Sequence, residues 1–213
     1  MSPQYTLHYE GSSYAIAAPH GDHISKWFEV ASFYELDLLN AVRDLRLRGD
    51  QYLDIGAHVG NHSIFFRRVL GGRVYAFEPN FSTFQSLRLN AEDHGFVAYN
   101  VAIHDKYSAV TVREKDPANI GMSHVVEGGE VMARTIDSFD FDDVALLKID
   151  TEGCEGAVLR SARKTIKKWR PAIIAEAHDD EDRRKIEHEL EPLGYKVRGC
   201  YAMTPTYIWT VQQ

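Results

Sequence analysis

Residues 51–63 constrain the fold of this chain more than any other stretch. Gln51-Tyr52-Leu53-Asp54-Ile55 is an apolar run too short for a helix, bounded by charged and glycine residues, and it reads as a buried strand. Gly56-Ala57-His58-Val59-Gly60 follows as a glycine-bearing turn, and Ser63 to Leu70 then has helical spacing. A strand, a glycine turn and a helix form a nucleotide-type binding corner. The glycines let a ligand approach the backbone, and the helix start offers free N–H groups. About twenty residues on, Arg73-Val74-Tyr75-Ala76-Phe77-Glu78 is a second strand ending in an acid, where a carboxylate can accept hydrogen bonds from both ribose hydroxyls.

Strands and helices alternate from this corner onward. The pattern predicts strands at 51–55, 73–77, 96–101, 144–149, 172–175, 194–197 and 207–211, with helices at 60–70, 81–93, 155–169 and 180–193. Asn80 is placed to cap the second helix and Gly95 to stop it. Such alternation implies an α/β fold, a doubly wound, mostly parallel seven-stranded sheet with an antiparallel last strand. Residues 1–48 read as a small N-terminal cap of the same domain, a hairpin at Tyr5–Tyr9 and Ser13–Ala17 followed by a helix over 33–47. Ser32 and Glu35 have capping-box spacing for that helix. Residues 49–213 are then the ligand-binding domain. Residues 102–135 break the alternation. They read as a hairpin-like insertion, a strand at Ser108–Glu114, a loop at 115–129 and a further extended stretch at Val131–Ile136, with a tip at Asn119–His124 that could reach over the ligand.

Length and composition exclude several classes. A chain of 213 residues suits one domain, or one with a small extension. No apolar run reaches membrane-spanning length, and Met1–Gly11 lacks the pattern of a secretion signal. A net charge of −7 argues against a nucleic-acid-coating protein. Cys154 and Cys200 make neither a disulfide framework nor a clustered metal site, so a cytoplasmic location is expected. A homo-oligomer is left open.

Asp54, Glu78, Asp150 and Glu176 all fall at predicted strand ends, on the edge where open parallel sheets bind ligands. A dinucleotide is disfavoured. The turn has two glycines and no third at the pyrophosphate position, and an acid beside it suits a cationic ligand better than a diphosphate.

The motifs make the resemblance specific. Phe33-Tyr34-Glu35, Leu53-Asp54-Ile55-Gly56-Ala57-His58-Val59-Gly60, Val74-Tyr75-Ala76-Phe77-Glu78-Pro79-Asn80, Asn100-Val101-Ala102-Ile103, Thr135-Ile136-Asp137-Ser138, Leu147-Lys148-Ile149-Asp150-Thr151-Glu152-Gly153, and Arg170-Pro171 leading to Glu176 occur in one order over about residues 33–198. In this the chain resembles the FkbM family of S-adenosylmethionine (SAM)-dependent methyltransferases, of the class I, Rossmann-like fold. It departs at His58, where the family usually has Asn.

The resemblance implies SAM as cofactor, bound by Glu35, Asp54, Gly56, Ala57, His58, Gly60, Asn61, Glu78, Pro79, Asn80, Ala102 and Asp150. Glu78 would hold the ribose and the Gly56–Gly60 turn would pass beneath the methionine part. Asn80 and Asn100–Ala102 would lie near ribose or adenine, and Asp150 near the methionine head and the transferred methyl. Asp150, Glu176 and His178 are the candidate catalytic residues on the acceptor side. They are also an oxygen-rich set for a divalent cation, although no metal is predicted.

His58 and His62 stand four apart at a helix start, but no third zinc ligand accompanies them. His124 and the basic run Arg163–Arg170 read as solvated. The expected activity is O-methylation of a hydroxyl on a small molecule such as a sugar or secondary metabolite. RNA ribose 2′-O-methylation and SAM binding without transfer are the alternatives.

Overall fold

The alternation of side chains along each strand decides the layering. The computed structural model describes residues 3–19, 21–116, 119–129 and 131–211, with side chains described outside 112–127. The chain opens with β1 (Gln4–Tyr9), β2 (Ser12–Ala17), α1 (Ser25–Glu29) and α2 (Leu36–Asp44). The core then runs β3 (Gln51–Ile55), α3 (Asn61–Arg68), β4 (Arg73–Phe77), α4 (Phe81–His94) and β5 (Val97–Tyr99). β6 (Ala102–Ile103), β7 (Ser108–Asp116), β8 (Asn119–Glu127) and β9 (Val131–Arg134) interrupt it. It resumes with β10 (Val144–Ile149), α5 (Glu155–Ser161), α6 (Arg163–Trp169), β11 (Ala172–Glu176), α7 (Asp180–Leu190), β12 (Tyr195–Tyr201) and β13 (Thr206–Val211).

The main sheet has seven strands in the order β12-β13-β11-β10-β3-β4-β5. β11, β10, β3, β4 and β5 pair in parallel, and β13 runs antiparallel to both neighbours. Tyr52, Val74, Ala76, Leu146 and Ile174 point to one face, where they join α2, α3, α4 and the β1–β2 hairpin in one apolar cluster. Leu53, Ile55, Phe77, Leu147, Ile149 and Ile173 point to the other, against α5, α6 and α7. The strand period of two thus builds a helix layer on each side.

Several local expectations need correction. The helix after Ser32 spans only Leu36–Asp44, and its N-cap residue Glu35 has a left-handed backbone (φ 55°) with no side-chain cap bond. The capping-box reading fails because the Glu35 carboxylate turns to His62, 3.1 Å away. α1 carried no signal long enough to read. The 96–101 strand ends at Tyr99, because Ala102–Ile103 leaves to pair with β9 in a separate four-stranded sheet ordered β6-β9-β7-β8. Much of the expected 115–129 loop is instead β8, paired antiparallel with β7. Pairing across a hairpin overrode the low strand propensity of its glycine and asparagine. The side chain of His124, and those of the whole expected tip, lie outside the described residues. The 155–169 helix is broken at Ala162 into α5 and α6.

Candidate active site

The β3–α3 turn is built by contacts across the sheet. The parallel register sets Asp54 beside Lys148, and Lys148 Nζ lies 3.3 Å from Asp54 Oδ1 and 3.2 Å from Asp150 Oδ2. The same ammonium donates to the Gly56 carbonyl at 3.0 Å. Burial opposes the charge on Lys148, but Asp150 and Asp54 overturn that and hold its pKa above the ordinary lysine value. Asp54 is fully buried and also accepts from Ser63 Oγ at 2.6 Å. Gly56 and Ala57 both donate their N–H to the Phe77 carbonyl. At Gly56 (φ +74°) a Cβ would sit 1.7 Å from the Asp150 carbonyl oxygen, so only glycine fits.

A cavity of about 290 Å³ opens over this turn, near the lower edge of the size range of small-molecule sites. Of the sequence-predicted residues, Glu35, Gly56, Ala57, His58, Asn61, Glu78, Pro79, Ala102, Asp150, Glu176 and His178 line it. Three do not. Asp54 lies beneath the turn with Lys148. At Gly60 (φ +93°) a Cβ would meet Leu87, so it serves packing. The Asn80 side chain caps α4, accepting from the N–H groups of Ser82 and Thr83.

Glu78 is a buried carboxylate in the cavity wall. Its Oε2 accepts from the His58 N–H at 2.9 Å and its Oε1 from the Asn80 N–H at 2.8 Å. Each oxygen keeps lone-pair capacity for one more donor. Burial raises its pKa to about 7, against the pull of those two N–H groups. Asn100 Nδ2 fixes the following backbone by donating to the carbonyls of Glu78 and Pro79.

The two histidines of the turn reach back to the N-terminal segment. His58 Nε2 lies 3.1 Å from Asp22 Oδ2, and His62 Nε2 lies 3.1 Å from Glu35 Oε2. Burial lowers the pKa of His58, with the Asp22 charge opposing. Asn61 accepts from the Tyr34 N–H and donates to the Tyr34 carbonyl, so its amide clamps residue 34.

A second group of acids gathers after β10 and β11. The Asp150 and Glu176 carboxyl groups hydrogen bond to each other. Burial, then the Asp150 charge, pushes Glu176 up to about 10, so Glu176 is the donor. Burial raises Asp150 as well, but Lys148 outweighs it and holds that carboxylate below its usual range. His178 Nε2 lies 3.2 Å from Glu152 Oε2 and 3.8 Å from Glu176 Oε2. Glu155 pins the turn carrying Glu152, accepting from the N–H groups of Thr151 and Gly153.

Sequence reasoning missed Asp22 and Thr204, which also line the cavity, and did not assign Tyr34 although it stands in the Phe33–Glu35 motif. Asp22 sits in a loop with no periodicity to read. Glu152 could have been found, since it stands inside the Lys148–Gly153 motif.

The sheet order, and the crevice where it reverses between β3 and β10 with acids at its carboxyl edge, are those of the class I, Rossmann-like fold. The chain belongs to the FkbM methyltransferase family: residues 54–197, about two-thirds of its length, match the methyltransferase FkbM domain.

Solved structures agree on the fold. Methyltransferase FkbM from Methylobacillus flagellatus KT is 19% identical with a TM-score of 0.58, over 76% of this chain and 43% of that one. The chain thus spans less than half the length of that relative. Precorrin-6y C5,15-methyltransferase from Geobacter metallireducens GS-15 is 18% identical with a TM-score of 0.53, over 83% of this chain and 88% of that one. The Pyrococcus abyssi tRNA (uracil-54, C5)-methyltransferase, in complex with S-adenosyl-L-homocysteine, is 14% identical with a TM-score of 0.54, over 97% and 43%. A comparison with curated proteins returns no match. Among the described residues no helix is long and apolar enough to cross a membrane.

Proposed function

We propose that this chain transfers the methyl group of SAM to a hydroxyl oxygen of a small molecule. The observation that carries the reading is the joining, in one cavity, of a buried ribose-type carboxylate at Glu78 with a proton-accepting group at Asp150, Glu152, Glu176 and His178. The residues present fit the cofactor. Glu78 has acceptor capacity for two ribose hydroxyls, and the turn at Gly56 brings bare backbone to the cavity wall. Ala57, Pro79 and Ala102 offer apolar wall to the nucleoside.

When bound, SAM supplies an activated methyl on a sulfonium: a C–O bond forms as the C–S bond breaks, and the sulfur keeps the electron pair. Alignment of the acceptor oxygen falls to the cavity walls, which contributes several kcal/mol when water is excluded. The hydroxyl proton must leave as the C–O bond forms. Asp150 is held ionised but tied to Lys148, and Glu176 already holds a proton, so neither alone is a strong base near neutral pH. The Glu152–His178 pair is the remaining acceptor in the group. A cavity crowded with carboxylates repels phosphates, which favours a neutral hydroxyl acceptor over RNA.

The test is calorimetric titration with SAM and S-adenosylhomocysteine, then mass spectrometry on a panel of sugar and secondary-metabolite hydroxyls. We expect binding by the wild type and a product heavier by one methylene, with the new methyl on oxygen. Absence of binding to both cofactor forms refutes the reading, and a methyl found on carbon or nitrogen refutes its acceptor half.

A further inference from the structure

Glu152, Glu176 and His178 each offer one ligand atom, and these atoms all lie within 4.8 Å of one another. They come from two separate segments, the turn after β10 and the end of β11, and all three face the cavity. Ligand atoms around a divalent cation stand about 3 Å apart when adjacent and about 4.3 Å apart when opposite, for bonds of about 2.1–2.2 Å. The observed 3.2 and 3.8 Å from His178 Nε2 to the two carboxylates fall inside that range. The set mixes an imidazole with two carboxylates, so it is more than a patch of acid.

The local charge balance is a second, separate observation. Asp150, Glu152 and Glu176 converge here, and the nearby ammonium, Lys148, is already held by Asp54, Asp150 and the Gly56 carbonyl. Glu176 Oε2 is buried and has no hydrogen-bond partner, so a carboxylate oxygen of the set faces the site without a donor. The bonds of Lys148 explain why Asp150 is not in the set, because its carboxylate faces Lys148.

We propose that Glu152, Glu176 and His178 bind a divalent cation of the Mn²⁺ class beside the acceptor pocket. Two carboxylates and one imidazole suit Mn²⁺ better than Mg²⁺, which favours an all-oxygen shell. With the cation bound, Glu152 and His178 would serve as ligands in place of acting as the base, and the cation would promote loss of the hydroxyl proton by lowering its pKa, as a bound metal does for water. This role rests on the O-methyltransferase reading, while the site itself does not.

The experiment uses the full chain, stripped with chelator and titrated with Mn²⁺ while free Mn²⁺ is followed by electron paramagnetic resonance. One bound Mn²⁺ per chain is expected, with electron spin-echo modulation from a directly coordinated ¹⁴N. Glu152→Gln and His178→Ala should each weaken binding by about tenfold or more, and His178→Ala should abolish the ¹⁴N signal. Saturable binding without a ¹⁴N signal, binding unchanged in both variants, or no stoichiometric binding would overturn the site. The ¹⁴N signal is read on the wild type, so it decides even if a variant does not fold. S-adenosylhomocysteine binding is measured in parallel. If it binds and Mn²⁺ does not, the cation site is lost and the function stands; if Mn²⁺ binds and S-adenosylhomocysteine does not, the reverse holds.

Discussion

Glu78 should make cofactor binding depend on pH near neutrality. Its pKa in the free protein is about 7, raised chiefly by burial from an ordinary value of about 4.5. Ribose hydroxyls donate hydrogen bonds, so they favour the ionised form and hold it in the complex. Affinity is then full above about pH 7 and falls as the pH drops below it. If the bound-state pKa lies well below 6, moving from about pH 8 to about pH 6 changes the protonated fraction enough to raise Kd about tenfold, or about 1.4 kcal/mol.

SAM is a poor probe of this, because its own amino group titrates near pH 8. 5′-Methylthioadenosine keeps the ribose and has no such group. Isothermal titration of 5′-methylthioadenosine in two buffers of different ionisation enthalpy should show about half a proton released per ligand at pH 7. Glu78→Gln should bind more weakly and remove both the pH dependence and the proton release. A wild-type Kd that is flat from pH 6 to pH 8, with no proton release, refutes the assignment of Glu78 to the ribose.

The same raised pKa acts on stability with the opposite trend. The folded protein holds the Glu78 proton more tightly than the unfolded chain, so its contribution to stability falls as the pH rises from about 4.5 to about 7. The loss is about 3 kcal/mol.

Two substitutions test how the turn is supported. Lys148→Met leaves the buried Asp54 carboxylate without its cation, and should cost about 3–5 kcal/mol in urea denaturation at neutral pH, with at least half recovered by adding Asp54→Asn. Asn90 accepts from the Ala17 N–H and donates to the carbonyls of Ala17 and Val59, tying the N-terminal hairpin to α4 and the turn; Asn90→Ala should cost about 3 kcal/mol with an unchanged denaturant slope, and a loss below about 1 kcal/mol would show that these bonds are replaced by water.

The sequence alone determined the seven core strands, the helices on both faces, the glycine turn and the family. Those features are local. A period of two or of 3.6 residues, a cap at Asn80, a stop at Gly95 and a short motif such as Lys148–Gly153 are all written within a few neighbouring positions. The place of Glu78 in the cavity wall was legible for the same reason, because it stands at a strand end.

Tertiary structure decided what the titratable side chains do. His58 meets Asp22 and His62 meets Glu35 from 36 and 27 positions apart in the chain, and Glu152 meets His178 from 26. No periodic pattern encodes such pairs, since each depends on how two separate segments are packed. The strand β8 was hidden likewise: Asn119 and Gly121 are weak strand formers, and pairing with β7 supplied the order. Asp54 looked like a ligand contact for being beside the glycine turn, but the strand register turns it under the sheet edge onto Lys148. Burial of that charge made the pairing obligatory.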